Sequence, residues 1–319
     1  MSKRNNGLDP AMLVDAQALP SGEAVVMRPP LRNRLRACRS FLLTPGSRPE
    51  VFGTRGPSEG DGLIIDLEST VAPDDKTMAR EAAIAMLSWV GEVDYIRMVR
   101  INSPHSIDGL RDLLALHECE QRPDALVIPK CESAEEIRLI VDLLDGAHSS
   151  IGIVPMVELA RAVFVAHHMA QAHERVCGLF FGGGDLAADL GAEGTWDNLL
   201  FARSRIVAAA ATAGIASIDV PYFKKDSDGL EREAMASRRL GMTGKAALRI
   251  EQLPAINTIF TPSVEAVNKA RSIMAARTAC HTGMPVLDGH AIEPAMVREA
   301  ERVLAIMGKQ REVAAAPPA

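Results

Sequence analysis

The 319-residue chain is expected to be an α/β protein, a (β/α)8 TIM barrel with additional C-terminal helices. Three observations predict it. Short apolar runs alternate with helical patterns along most of the sequence, eight such runs can be counted, and they span roughly the length an eightfold barrel needs. A doubly wound open sheet is the structural rival, but no GxGxxG follows the first run.

Taken in order, the strands are expected at 40–44, 63–67, 96–101, 125–128, 151–157, 176–181, 216–220 and 245–250. Continuous apolar runs of this kind suit parallel strands covered on both faces. Helical patterns follow at 74–90, 133–144 and 159–174, and again at 263–277 and 293–307. Residues 1–36 carry Pro10, Pro20, Pro29 and Pro30 among polar residues and are expected to be a partly disordered N-terminal extension. The barrel is expected over 37–262, a helical lid segment over 263–312, and an Ala/Pro tail over 313–319.

Composition excludes several classes of function. A net charge of −6 and a pI near 5.8 give no general pull toward nucleic acid or an anionic membrane surface. The five cysteines, Cys38, Cys119, Cys131, Cys177 and Cys280, lack CxxC spacing and are expected to be buried thiols in a reducing cytoplasm. No apolar run reaches a membrane span, so a soluble cytoplasmic protein is expected.

Within 151–191 two apolar strands flank a helix, and each strand leads into an acid, Glu158 and Asp185. Parallel strands bring their carboxyl ends to one edge, so both acids can reach one pocket, and two such acids suit Mg²⁺. Spacing alone leaves open the other reading, that Glu158 starts one helix and Asp185 caps the next. Other charged residues fall beside strands: Arg39 at the first, Asp66 and Glu68 at the second, Arg100 at the third and Lys130 after the fourth. Arg39 could equally pair with a neighbouring acid, Lys130 snorkel at the rim, and Asp66 bond backbone amides. Gly182, Gly183 and Gly184 have neither a dinucleotide fingerprint nor P-loop spacing, but would let backbone approach a ligand beside Asp185. His167, His168 and His173 share a predicted helix without metal-ligand context, and no GxSxG elbow is present.

Eight segments stand in order along about residues 37–307: RSFLLTPGSRPEVF (39–52), LIIDLESTVAPDDK (63–76), VRINSP (99–104), VIPKCESAEEI (127–137), PMVELARAV (155–163), GLFFGGGDLAADLG (178–191), AMASRRLGMTGKAAL (234–248) and LDGHAIEP (287–294). Together they resemble the citrate lyase beta-subunit family, which includes malyl-CoA lyase-like enzymes and sits beside the HpcH/HpaI class II aldolases. The resemblance implies a barrel with C-terminal helices, assembled as a homotrimer or hexamer in which the C-terminal part lies near a neighbour's site. It implies Glu158 and Asp185 as ligands of Mg²⁺, with Mn²⁺ as a substitute. Arg100 becomes a substrate-binding and catalytic residue, Glu68 an acid of the site, and Glu293 the acid that protonates an enolate. Arg39, Lys130, Gly183 and Gly184 complete the candidate substrate-binding set.

The implied reaction cleaves or forms a short 3-hydroxyacyl-CoA of the malyl, citramalyl or citryl kind. A hydroxyl proton is lost, the carbon bond breaks, and a keto acid leaves a thioester enolate, with CoA entering as part of the substrate. Alternatives are a class II aldolase on free hydroxy-keto acids, an acyl-CoA thioesterase, and a non-catalytic keto-acid-binding subunit. Four departures from the family pattern imply an atypical member. Ser69 stands where DLEDAV has an acid, Gly184 where GPEDL has one, Arg249 and Ile250 replace His and Pro of IHPxQI, and Glu293 replaces the Asp of GxMID.

Overall fold

A computed structural model describes residues 30–48, 60–89, 95–144 and 150–315. In chain order the elements are α1 (Leu31–Arg36), β1 (Ser40–Pro45), β2 (Gly62–Asp66), α2 (Lys76–Trp89), β3 (Ile96–Arg100), α3 (Ile107–Glu118), β4 (Ala125–Ile128) and α4 (Ala134–Leu143). There follow β5 (Gly152–Val157), α5 (Ala160–Ala170), β6 (Gly178–Phe181), α6 (Gly183–Leu190), α7 (Leu200–Ala213), β7 (Ala216–Asp219), α8 (Ser227–Leu240), β8 (Gly244–Ala247) and α9 (Leu253–Phe260). The chain ends with α10 (Val264–Ala279), a two-stranded hairpin of β9 (Val286–Leu287) and β10 (His290–Ala291), and α11 (Pro294–Ala315). Strands β1 to β8 close into a barrel in sequence order, every neighbouring pair parallel. The expected TIM barrel with additional C-terminal helices is the observed fold.

The period-2 alternation of a strand divides its side chains between two apolar layers. Phe41, Ile64, Met98, Val127, Val154, Met156, Phe180 and Ile218 fill the barrel. Leu42, Ile65, Val99, Leu126, Ile153 and Leu179 face the helices instead. The same alternation has a consequence for the charged residues. Asp66 follows Ile64 by two, Arg100 follows Met98 by two, and Glu158 follows Met156 by two, so all three fall on the inward side at the carboxyl ends.

The opposite end is closed by α1. Leu35 is fully buried in the inner layer and Leu31 packs beside it. Gly152 makes room for this floor, since a Cβ there would lie 2.5 Å from Leu31 Cδ2. Arg32 Nη2 fastens the helix by donating to the carbonyls of Glu174 (3.1 Å) and Val176 (3.0 Å). Residues 31–36 of the expected extension are therefore the barrel's floor, while 1–29 lie outside the described residues. At the other terminus 313–315 continue α11, and 316–319 lie outside the described residues.

Two expected boundaries shift for identifiable reasons. β8 ends at Ala247, because Gln252 Oε1 accepts from the amides of Leu248 (2.9 Å) and Arg249 (3.2 Å) and draws the chain into a 3-10 turn. α5 ends at Ala170, so His173 lies past it, and His167 and His168 are exposed on its surface. Helices α10 and α11 enclose a small core of their own around Val267, Ile273, Ile292 and Val303, and α11 touches the barrel at α1. All five cysteines are thiols, four of them buried. Among the described residues, no helix is long and apolar enough to cross a membrane.

If α1 is an integral floor, Leu35→Ala opens a cavity inside the barrel and costs about 3 kcal/mol, as buried Leu truncations do. Urea denaturation of the two proteins measures it; an unchanged midpoint would contradict this role for α1.

Candidate active site at the carboxyl end of the barrel

Asp66 and Arg100 are direct Cα partners in the β2–β3 register. Asp66 is wholly buried and accepts both forks of the guanidinium, Nε on Oδ1 at 2.6 Å and Nη2 on Oδ2 at 2.7 Å. The loop after β2 wraps this carboxylate: the amides of Glu68 and Thr70 donate to it at 2.9 Å each, and Thr70 Oγ1 donates at 2.6 Å. Burial alone would raise Asp66, but the Arg100 charge and these donors hold it below the usual carboxylate range. Burial likewise works against charge on Arg100, yet Asp66, Glu68 and Glu158 keep the guanidinium firmly protonated. Ser69 Oγ accepts a further bond from Arg100 Nη2 at 2.5 Å. The remaining nitrogen, Nη1, is 3.2 Å from Glu68 Oε2 and 4.0 Å from Met156 Sδ.

Glu158 is the second buried acid, 1% exposed, just past β5. Its Oε1 accepts from the Lys130 amide at 2.7 Å, and Lys130 Nζ lies 3.6 Å away. Lys130 adopts φ +56°, a left-handed conformation that costs a non-glycine residue about 1 kcal/mol, and this amide bond holds it there. The same Nζ is 2.5 Å from Asp185 Oδ1, so Glu158 and Asp185 converge on one positive charge. Desolvation raises the Glu158 carboxyl, Lys130 opposes it, and the charges of Asp185 and Glu68 add to it, leaving a pKa of about 7.

Asp185 belongs to the first turn of α6, so the sequence alternatives of helix start and candidate ligand coincide here. The glycine run divides by position. A Cβ at Gly182 would lie 2.5 Å from Glu158 Oε2 and one at Gly183 2.9 Å from the Phe181 ring, while Gly184 has open space around it. Gly182 and Gly183 thus serve close packing at the start of α6. Gly184 has no such constraint.

These residues fit a hard divalent cation such as Mg²⁺. The buried Glu158 Oε2 has no hydrogen-bond partner, a costly state for a carboxylate oxygen, and Asp185 shares its cation with Glu158. Among the described residues no three His, Cys, Asp or Glu side chains gather at one point. The chain therefore offers two protein carboxylates, in keeping with Mg²⁺, which commonly takes one or two and leaves the rest to water and substrate.

Of the sequence candidates, the structure brings together Glu68, Arg100, Lys130, Glu158 and Asp185, with Gly183 and Gly184 beside them. Arg39 does not join them. It precedes β1, at the amino end of a parallel barrel and so on the far side, with its guanidinium on Asp61 (2.8 and 3.0 Å) and Thr261 (2.9 Å). Glu293 is exposed between β10 and α11, in the unit that touches the barrel at its floor. Arg249 lies past β8, where Nη2 donates to the Lys224 carbonyl at 2.6 Å. Sequence reasoning missed Ser69 and Thr70 as anchors of the Asp66–Arg100 pair. The only signal was their place in the loop directly after Asp66.

The pattern of the HpcH/HpaI aldolase/citrate lyase family matches residues 39–249. The chain is 31% identical to the L-malyl-CoA/beta-methylmalyl-CoA lyase of Rhodobacter capsulatus, over 87% of this chain and 96% of that one. It is 30% identical to the (3S)-malyl-CoA thioesterase of Cereibacter sphaeroides, over 84% and 93%. Among solved structures, CitE from Mycobacterium tuberculosis in complex with magnesium, acetoacetate and coenzyme A superposes with a TM-score of 0.67 at 28% identity, over 86% of this chain and all of that one. RipC from Yersinia pestis superposes at 0.64 with 35% identity, over 73% and 99%. With the family pattern spanning most of the barrel and relatives matching nearly end to end, the chain belongs to the HpcH/HpaI aldolase/citrate lyase family.

Proposed function

We propose that this protein is a Mg²⁺-dependent carbon–carbon lyase that cleaves or forms a short 3-hydroxyacyl-CoA of the malyl-CoA type, giving a keto acid and an acyl-CoA. The observation that carries this reading is the convergence of Glu158 and Asp185 on one positive charge, beside the barrel-held Arg100, in a relative of malyl-CoA lyases. The CitE structure with magnesium, acetoacetate and coenzyme A supports the same ligand classes for this chain.

Glu158 and Asp185 would hold the Mg²⁺, which supplies Lewis-acid polarisation of the keto acid's oxygens when bound. Arg100 would present Nη1, the nitrogen not committed to Asp66 or Ser69, to the oxygen that gains negative charge as the carbon bond breaks. Glu68 has a buried Oε2 without a hydrogen bond and would take up the hydroxyl proton. The amides of Gly183 and Gly184, in the first turn of α6, have no intrahelical acceptor and would receive the substrate carboxylate. Lys130 would balance charge beside the two metal-binding acids. Glu293 would protonate the enolate from a neighbouring copy of the chain, since its own helix packs toward the floor of its own barrel.

A second reading is favoured by the malyl-CoA thioesterase relative: water then attacks the thioester, and free CoA leaves with the hydroxy diacid. Incubating the purified protein with Mg²⁺ and malyl-CoA, methylmalyl-CoA, citramalyl-CoA or a free 4-hydroxy-2-keto acid separates the readings by product. Keto acid with acyl-CoA marks the lyase, free CoA the thioesterase, and cleavage of the free acid the aldolase. Removing Mg²⁺ or introducing Glu158→Gln should abolish turnover. Full activity in Glu158→Gln would sink the metal reading. Arg100→Lys keeps a charge but loses the fork, and kcat should fall roughly 100-fold, the usual cost of one oxyanion donor; a melting curve checks that the variant folds.

The raised Glu158 carboxyl also predicts a pH dependence of the metal-free protein. Its folded pKa of about 7 lies above its unfolded value near 4.5, so the stability it contributes is full below about pH 4.5 and is lost as pH rises through 7. The loss is at most roughly 3 kcal/mol. In EDTA, the stability of the wild type relative to Glu158→Gln should therefore fall between pH 5 and 8, as read by denaturant titration. A flat difference over that range would show that Glu158 titrates normally.

A further inference from the structure

Glu158 and Asp185 stand on different elements, one at the end of β5 and one on α6, so their separation depends on how α6 sits against α5. Helix α6 is eight residues long, is free of any side-chain cap at its start, and ends at the left-handed Gly191. Asp189 lies four residues after Asp185, on the same face one turn further along. Its Oδ2 accepts a hydrogen bond from the backbone amide of Ala160 at 2.6 Å. Ala160 is the first residue of α5 and follows Glu158 by two. The residue at the cap position of α5 is Leu159, whose side chain has no oxygen to accept that bond.

Asp189 therefore supplies from α6 the acceptor that α5 lacks. The bond is short and charge-assisted, and it sets a carboxylate against the positive end of the α5 dipole. It joins the helix that carries Asp185 to the chain two residues past Glu158. We propose that Asp189 is a positioning residue for the carboxylate pair, a clamp that sets the distance and orientation of Asp185 relative to Glu158. The inference rests on the reading of that pair as the Mg²⁺ site. Asp189 touches neither the substrate nor the ion. Its effect passes through the tilt of α6.

Isothermal titration of the full-length chain with Mg²⁺ alone, set beside thermal melts, tests the clamp. Asp189→Ala should weaken Mg²⁺ binding about tenfold, at the lower end of what losing an outer partner of a metal ligand costs. Ala160→Pro removes the donor instead of the acceptor, at the first position of a helix where proline is well accommodated, behind an extended Leu159. It should weaken binding to the same degree. Asp189→Asn keeps an amide oxygen that can accept from Ala160 and should recover most of the affinity. Ser263→Ala removes a helix cap of the same kind from α10, so it should lower the melting temperature comparably while leaving Mg²⁺ affinity unchanged. Unchanged affinity in both Asp189→Ala and Ala160→Pro, with Glu158→Gln abolishing binding, would overturn the clamp alone. Wild-type affinity in Glu158→Gln would overturn the metal reading and the clamp with it.

Discussion

The ion pair of Asp66 and Arg100 inside the barrel is the interaction on which the carboxyl-end site depends. Each charge alone would be prohibitively placed, since removing one partner of a buried pair typically costs 3–5 kcal/mol. The fold meets this by register: β2 and β3 set the two residues directly opposite one another, and the fork geometry does the rest. The loop after β2 is then drawn back over the carboxylate by three donors, which brings Glu68 and Ser69 against the guanidinium. One pair thus fixes a strand register, a loop and the direction of Nη1.

The same site also has an unbalanced charge. Asp66, Glu68, Glu158 and Asp185 face Arg100 and Lys130, so four carboxylates meet two cations. Fully ionised, the cluster is two charges negative, which matches one divalent cation. Without that compensation the excess falls on the buried acid with the weaker protein partners. This is Glu158, whose Oε2 hydrogen-bonds nothing and whose pKa rises to about 7. Its perturbed carboxyl and the affinity proposed for Mg²⁺ have one electrostatic origin.

The barrel was legible in the sequence because parallel strands are covered on both faces and read as continuous apolar runs, such as LIID and GLFF. Glu158, directly after β5, and Asp185, three glycines past β6, were legible for a related reason: a charged residue so close behind such a run has few places to go except the carboxyl rim. Arg39 shows the limit of that reasoning. It sits beside a strand as closely as Arg100 does, but before β1, and nearness to a strand identifies a site only together with the strand's direction. The floor helix was hidden for another reason. LRNRLR has just two leucines four residues apart, a pattern too short to separate from a polar extension, and its burial comes from the tertiary fit of Leu31 over Gly152. Ser69 stood out in the sequence only as a departure from the family pattern and Thr70 not at all, because both act through Asp66 and Arg100, whose pairing no local pattern shows.

The departures from the family pattern are best understood by separating charge from hold. At Ser69, where the resemblance leads one to expect an acid, the hydroxyl accepts from Arg100 Nη2 and so still helps to hold the guanidinium beside Asp66. At Gly184, where the resemblance likewise leads one to expect an acid, the surroundings are open and a Cβ would meet nothing. Gly182 and Gly183 behave oppositely, because neighbouring side chains occupy the space a Cβ would need. Of the three glycines only Gly182 coincides with the glycine of GPEDL, and there a Cβ would run into Glu158 itself. Any further acid in the same pocket would add to the excess already carried by Glu158 and drive its carboxyl higher. With Ser69 and Gly184 uncharged, neither position adds to the burden that burial already sets against ionisation of Glu158.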